Sequence, residues 1–92
     1  MGSVVVLKSE GKVDLLDAYR QVIAEGYNSS KTYNKRSVQV MIGFLSAAFI
    51  ALRVVGHEYW AQRFEHAGQQ LERNWMLYPD VVFQLCMDID NR

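Results

Sequence analysis

An apolar run over residues 38–55, VQVMIGFLSAAFIALRVV, constrains the fold of this chain more than any other feature. Built as an α-helix, these 18 residues would span about 27 Å, close to the roughly 30 Å hydrocarbon core of a bilayer. The basic residues Lys35 and Arg36 precede the run and Trp60 follows it. Charged and aromatic residues collect where a membrane meets water. The pattern therefore favours a transmembrane helix over residues 37–56.

Size and charge limit what else the chain can be. Its 92 residues are enough for one small unit, so we treat residues 1–92 as a single domain. Ten basic and ten acidic side chains cancel, which leaves no global field to attract nucleic acid. We therefore expect no nucleic-acid partner. Cys86 is the only cysteine, and it can neither form an internal disulfide nor build a metal site by itself.

A short amphipathic helix is predicted ahead of the apolar run. Asp14 can cap its start and Gly26 can stop it. Its apolar face consists of Leu15, Leu16, Tyr19, Val22 and Ile23. Further upstream, residues 3–8 form a β-branched run that fits a short strand or an extended arm. Residues 1–36 are therefore interpreted as an N-terminal arm followed by the amphipathic helix.

Beyond the apolar run, the helix is predicted to continue. No proline interrupts the chain from Ser37 to Tyr78, so one helix of nearly forty residues, bent at Gly56, is the simplest interpretation. Its extension over residues 57–78 carries a stripe that we expect to contact a neighbouring protein: Trp60, Phe64, Leu71 and Trp75. Pro79 then redirects the chain, and residues 79–92 form a short tail whose pattern favours helix. The predicted fold class is all-α.

Small and polar side chains form a second stripe along the apolar run. Its members are Gln39, Gly43, Ser46, Ala47 and Arg53. In lipid, close backbone approach and hydrogen bonds at such positions hold helices together. The stripe therefore predicts an interface with helices of other membrane-protein subunits. Lipid would contact the opposite face, which consists of Val40, Phe44, Phe49 and Leu52.

The sequence predicts no catalytic, cofactor or metal site. It contains no Gly-rich phosphate loop, GxSxG or CxxC motif, and Ala61 stands where HExxH needs its second histidine. Arg53 and His57, in the string RVVGHEYW, resemble the Arg and His pair of the helical HEPN ribonucleases, which would imply RNA cleavage. Their spacing is one residue shorter than is usual in that family, and Val54 replaces the polar residue that commonly follows the Arg.

The layout resembles that of small supernumerary subunits of respiratory-chain or ATP-synthase complexes. That resemblance implies a non-catalytic, single-span structural subunit of the mitochondrial inner membrane, with no cofactor and no small-molecule substrate. The basic residues Lys31, Lys35 and Arg36 would place the amino terminus on the cytoplasmic or matrix side. The alternative is a small soluble, cytoplasmic helical interaction module, an adaptor or inhibitor, that covers its apolar helix in a bundle or a homodimer.

Overall fold

The computed structural model describes residues 14–29 and 32–92, and all regular secondary structure in these ranges is helical. The helices are α1 (Leu15–Ser29), α2 (Lys35–Val54), α3 (Glu58–Arg73), a 3-10 turn (Trp75–Leu77) and α4 (Tyr78–Asp90). The predicted all-α class is confirmed, with its short first helix and its long apolar helix. The predicted strand or arm at residues 3–8, and Lys31, lie outside the described residues.

Helix α1 begins as predicted but ends later. The Asp14 Oδ1 atom accepts a hydrogen bond from the Leu16 N–H at 3.0 Å, which caps the first turn. Gly26 does not stop the helix, because α1 continues to Ser29. A Cβ atom at Gly26 would lie 3.3 Å from Met41 Cε on α2. The glycine therefore allows a close approach of α1 to α2.

A capping box starts α2 two residues before the predicted position. The Asn34 Oδ1 atom accepts a hydrogen bond from the Ser37 N–H at 2.9 Å, and Ser37 Oγ accepts one from the Asn34 N–H at 3.0 Å. This reciprocal pair satisfies two backbone donors that the first turn of a helix leaves without partners. Asn34 and Ser37, two polar residues just before the apolar run, are thus its start signal.

The predicted continuous helix over residues 37–78 is wrong, because α2 ends at Val54 and the chain turns at Gly56. Gly56 has φ +89°, in the left-handed region that favours glycine. Its N–H donates to the Arg53 carbonyl at 3.0 Å, and the His57 N–H donates to the Leu52 carbonyl at 2.8 Å. These two bonds define a Schellman motif with glycine at C′. The chain reverses there, and α3 runs back along α2.

Burial of two matching stripes explains the reversal. Val38, Leu45 and Leu52 recur every seven residues along α2 and are almost completely buried. Phe64 and Leu71 of α3 are also fully buried. A Cβ atom at residue 68 of α3 would make an ordinary 3.8 Å contact with that of residue 45 of α2. A straight helix would leave both stripes in water, whereas the hairpin buries each against the other.

Helices α1 and α4 close the bundle, and ion pairs mark where they meet. The Arg20 guanidinium lies 2.9 Å from an Asp90 carboxylate oxygen, and Arg92 lies 2.8 Å from both Asp14 and Asp17. These pairs are largely exposed, so water screens them and each contributes little to stability. Their main consequence is alignment, because they fix the carboxyl end of α4 beside the amino end of α1.

The C-terminal tail is helical, as the sequence favours. Pro79 lies in the first turn of α4, where its missing N–H leaves no hydrogen bond unmade. Leu85, Cys86 and Ile89 are buried against the rest of the bundle. Burial raises the pKa of the Cys86 thiol, which disfavours the reactive thiolate.

A hydrogen bond also joins α3 to α4. It runs from Arg63 to Asp88 and lowers the pKa of the Asp88 carboxyl.

The turn can be tested with a pair of glycine variants. Gly56→Ala forces a side chain into a left-handed backbone and should lower the free energy of unfolding by about 1–2 kcal/mol. Gly68→Ala, in the middle of α3, should raise it by about 0.5–1 kcal/mol, because alanine favours a helix and its Cβ meets only an ordinary contact. Urea unfolding followed by circular dichroism measures both. Equal effects of the two variants on the free energy of unfolding would contradict the left-handed turn at Gly56.

Candidate functional site

Helix α2 carries an apolar face, on the side away from its buried stripe, that no other described element covers. Val40, Ile50 and Val54 are exposed to 72%, 60% and 81%. Together with the small residues between them they form what we call the outward face: Val40, Gly43, Ala47, Ile50 and Val54, all exposed. These residues follow one another at alternating spacings of three and four. That is the spacing with which one helix packs along another over two heptads.

The predicted partner-helix residues lie on this side of α2. Gly43 and Ala47 belong to the outward face, and Gln39, Ser46 and Arg53 form an exposed row beside it at seven-residue spacing. Apart from its chain neighbours and the backbone of its own helix, no heavy atom of the described residues would lie within 4 Å of a Cβ atom at Gly43. The structure therefore brings the five residues together on one accessible surface. That they contact another helix stays a prediction.

The predicted opposite face is wrong for three of its four residues. Leu52 is fully buried, and Phe44 and Phe49 are half-buried against the core. The Phe44 ring packs edge-on against Tyr19 of α1 with centroids 5.5 Å apart. These side chains pack inside the bundle because α1 and α3 lie against this side of α2. Val40 alone remains exposed, and it belongs to the outward face.

The aromatic stripe of residues 57–78 is also placed differently from the prediction. Phe64 and Leu71 have 0% exposure, and the Phe64 ring lies 6.1 Å from that of Tyr19. Trp60 and Trp75 are half-buried against the core. The predicted contact with a neighbouring protein is wrong for Phe64 and Leu71, because the turn at Gly56 directs this side of α3 towards α2. The stripe is mainly part of the core.

Sequence reasoning missed an aromatic cluster at one end of the bundle. The Tyr78 ring lies 5.4 Å from Tyr27 and 5.2 Å from Tyr33, and Tyr33 lies 5.9 Å from Trp75. The Tyr33 hydroxyl donates to the Met76 carbonyl at 3.3 Å. Burial raises the pKa of Tyr78. In the sequence, only Tyr27 and Tyr33 before the apolar run indicated this cluster. It joins the region between α1 and α2 to the start of α4.

Opposite charges bound the outward face. Lys35 and Arg36 are exposed in the first turn of α2, which contains no acidic residue. Cations there face the positive end of the helix dipole, which is unfavourable. At the other end, Arg53 Nε lies 3.7 Å from a Glu58 carboxylate oxygen, and both side chains are more than half exposed. The face thus runs from a basic first turn without an acidic residue to an end where one carboxylate is paired with an arginine.

The described residues contain no cluster of three or more His, Cys, Asp or Glu side chains that could hold a metal ion. The pair that resembles the HEPN ribonucleases, Arg53 and His57, is exposed at the turn after α2. Arg53 there pairs with Glu58 and lies 5.5 Å from the Phe49 ring centroid. The sequence-based expectation that the chain has no catalytic site stays a prediction. No known protein family, curated protein or solved structure matches the chain.

Two phenylalanines test the placement of the aromatic stripe. Phe64→Ala leaves a cavity in the core and should lower the free energy of unfolding by about 3–5 kcal/mol. Phe83→Ala removes the same ring from a side chain of α4 that is 65% exposed. This variant should alter the free energy of unfolding by less than about 0.5 kcal/mol. Chemical unfolding of both variants at one protein concentration gives the comparison. A Phe64→Ala protein as stable as the Phe83→Ala protein would contradict the assignment.

Proposed function

We propose that this chain is a non-catalytic helical interaction module that binds another protein through the outward face of α2. The observation that carries this proposal is the exposure of Val40, Ile50 and Val54 in one row on a helix whose other side is buried. Exposed apolar side chains scattered singly are ordinary on a protein surface, whereas a contiguous patch marks an interaction site. The bundle itself does not require apolar side chains at these positions.

The surroundings of α2 favour a protein over lipid as the occupant. Glu65 and Glu72 of α3 line the same groove as Ile42 and Ser46 of α2. A bilayer around α2 would therefore have to admit these carboxylates or separate the two helices. A charged side chain at mid-bilayer costs at least about 2.5 kcal/mol. Separation would expose the matching stripes that the hairpin buries. An aqueous protein interface avoids both costs.

A single-span membrane subunit is the second candidate, and one observation favours it. Helix α2 has 20 residues, its most apolar window has a mean hydropathy of 1.8, and 33% of that window is buried within the chain. In this alternative the outward face meets lipid or the helices of other membrane-protein subunits, and the basic end lies on the matrix or cytoplasmic side. Placement in the mitochondrial inner membrane or a respiratory-chain complex stays a prediction.

Gel filtration of a clarified, detergent-free lysate tests the interaction module. Wild-type full-length chain should elute in an assembly larger than the monomer. Ile50→Glu places a charge in the centre of the outward face, where it would be buried on binding, and should shift the chain to the monomer volume. Phe83→Glu puts the same charge at an equally exposed position on α4 and should elute like the wild type.

Two results would contradict the proposal. One is an Ile50→Glu chain that elutes with the wild type, because the outward face would then have no part in the assembly. The other is a wild-type chain that is missing from the lysate until detergent is added, which is the behaviour of the membrane candidate. Circular dichroism of each variant confirms that the helices are intact.

A further inference from the structure

We propose that the protein bound by the outward face is a second copy of this chain, and that the two copies pair antiparallel along α2. This inference rests on the proposed function, because it names the occupant of the same face. Three properties of the face suit it to pairing with itself: the shapes of its side chains, its length, and the charges at its two ends. Each of these properties can be seen in the described residues of one copy.

The first property is shape. The outward face combines three larger side chains, Val40, Ile50 and Val54, with two small residues near its middle, Gly43 and Ala47. Interhelical distance depends on the side chains at the contact, so a glycine and an alanine near the centre allow two helices to approach closely. Within the described residues, no atom from another part of the chain occupies the space beside Gly43. A side chain such as Ile50 of the second copy can fill it.

The second property is length. The seam from Val40 to Val54 covers 14 residue steps, or about 21 Å of helix. It contains the two consecutive heptads over which one α2 can lie along another. A two-fold axis near Ala47 places each end of the seam against the opposite end in the second copy. The same patch of each copy then forms the interface, as in a two-fold symmetric dimer. This symmetry is the commonest among soluble oligomers.

Charge selects the antiparallel direction. A parallel pair would bring Lys35 and Arg36 of each copy together, and the first turn of α2 contains no acidic residue to offset them. An antiparallel pair instead brings these cations to the end where Glu58, whose side chain is 60% exposed, pairs with Arg53 at 3.7 Å. It also sets the positive end of one helix dipole beside the negative end of the other. Both contributions oppose the parallel arrangement.

Sedimentation equilibrium of the purified full-length chain, without detergent, tests the occupant. We expect a reversible dimer for the wild type. Ile50→Glu should raise the dissociation constant at least about tenfold, because each dimer loses two apolar contacts and gains two desolvated carboxylates. Val40→Glu provides a second disruption should Ile50→Glu fold poorly. Phe83→Glu should leave the dissociation constant unchanged.

Cross-linking with a short bis-maleimide tests the direction. Cys86→Ala is the background, and single Val40→Cys and Val54→Cys variants are compared, one of them carrying a purification tag. In an antiparallel dimer each position is about 21 Å from its own counterpart, so neither variant should cross-link alone. A mixture of the two should give the mixed product. Strong self-cross-linking of Val54→Cys would show a parallel pair and overturn the proposal.

The outcomes separate this inference from the proposed function. A monomeric purified chain whose assembly in the lysate still depends on Ile50 overturns the second copy as the occupant but leaves the interaction module standing. A monomer in both settings overturns both. A wild-type chain that sediments with phosphatidylcholine vesicles, and loses that association on Ile50→Glu, assigns the face to lipid and overturns both as well.

Discussion

The reversal of the chain at Gly56 decides what becomes of the apolar surface of α2. Two backbone hydrogen bonds and a left-handed glycine stop the helix there and return α3 along it. The buried stripe of α2, in which Val38, Leu45 and Leu52 recur every seven residues, then packs with Phe64 and Leu71 of α3. Helices α1 and α4 complete the bundle around them. Without this reversal, the chain would carry one extended helix with two uncovered stripes. The packing of α3 against α2 depends on this hairpin.

The hairpin covers only one side of α2, and this asymmetry links fold to function. Apolar burial contributes about 25 cal/mol for each Å² removed from water. The inward stripe supplies that contribution to folding, while Val40, Ile50 and Val54 supply little of it because they remain exposed. Polar side chains would serve the fold equally well there. The apolar character of these positions therefore has its best explanation in an interaction beyond the single chain.

Local signals made part of this structure predictable from sequence. The amphipathic pattern of α1, its Asp14 cap and the apolar run of α2 depend on neighbouring residues. Each is found in the structure, except that Val22 of the predicted apolar face of α1 is exposed to 47%. Gly56 was recognised as a weak point but not as an end. A glycine can bend a helix or terminate it, and the choice depends on whether the following segment has a partner stripe to pack against. That is a property of contacts between residues far apart in the sequence.

The same reason explains the errors at the candidate site. The stripe through Phe64 and Leu71 was identified as apolar, but the sequence did not show which surface would cover it. The aromatic cluster was missed because Tyr33 and Tyr78 are 45 residues apart in the chain. By contrast, Gly43 and Ala47 were grouped correctly, since residues that share one side of a helix follow from its 3.6-residue period alone.

Alkaline carbonate extraction of membranes from cells that express the full-length chain tests the central claim most directly, with one soluble and one integral protein as controls. If α2 is one wall of a water-soluble bundle and its outward face binds protein, the chain moves into the supernatant with the soluble control. If the chain stays in the pellet with the integral control, α2 is held by lipid, and both the packed hairpin and the interaction module are contradicted.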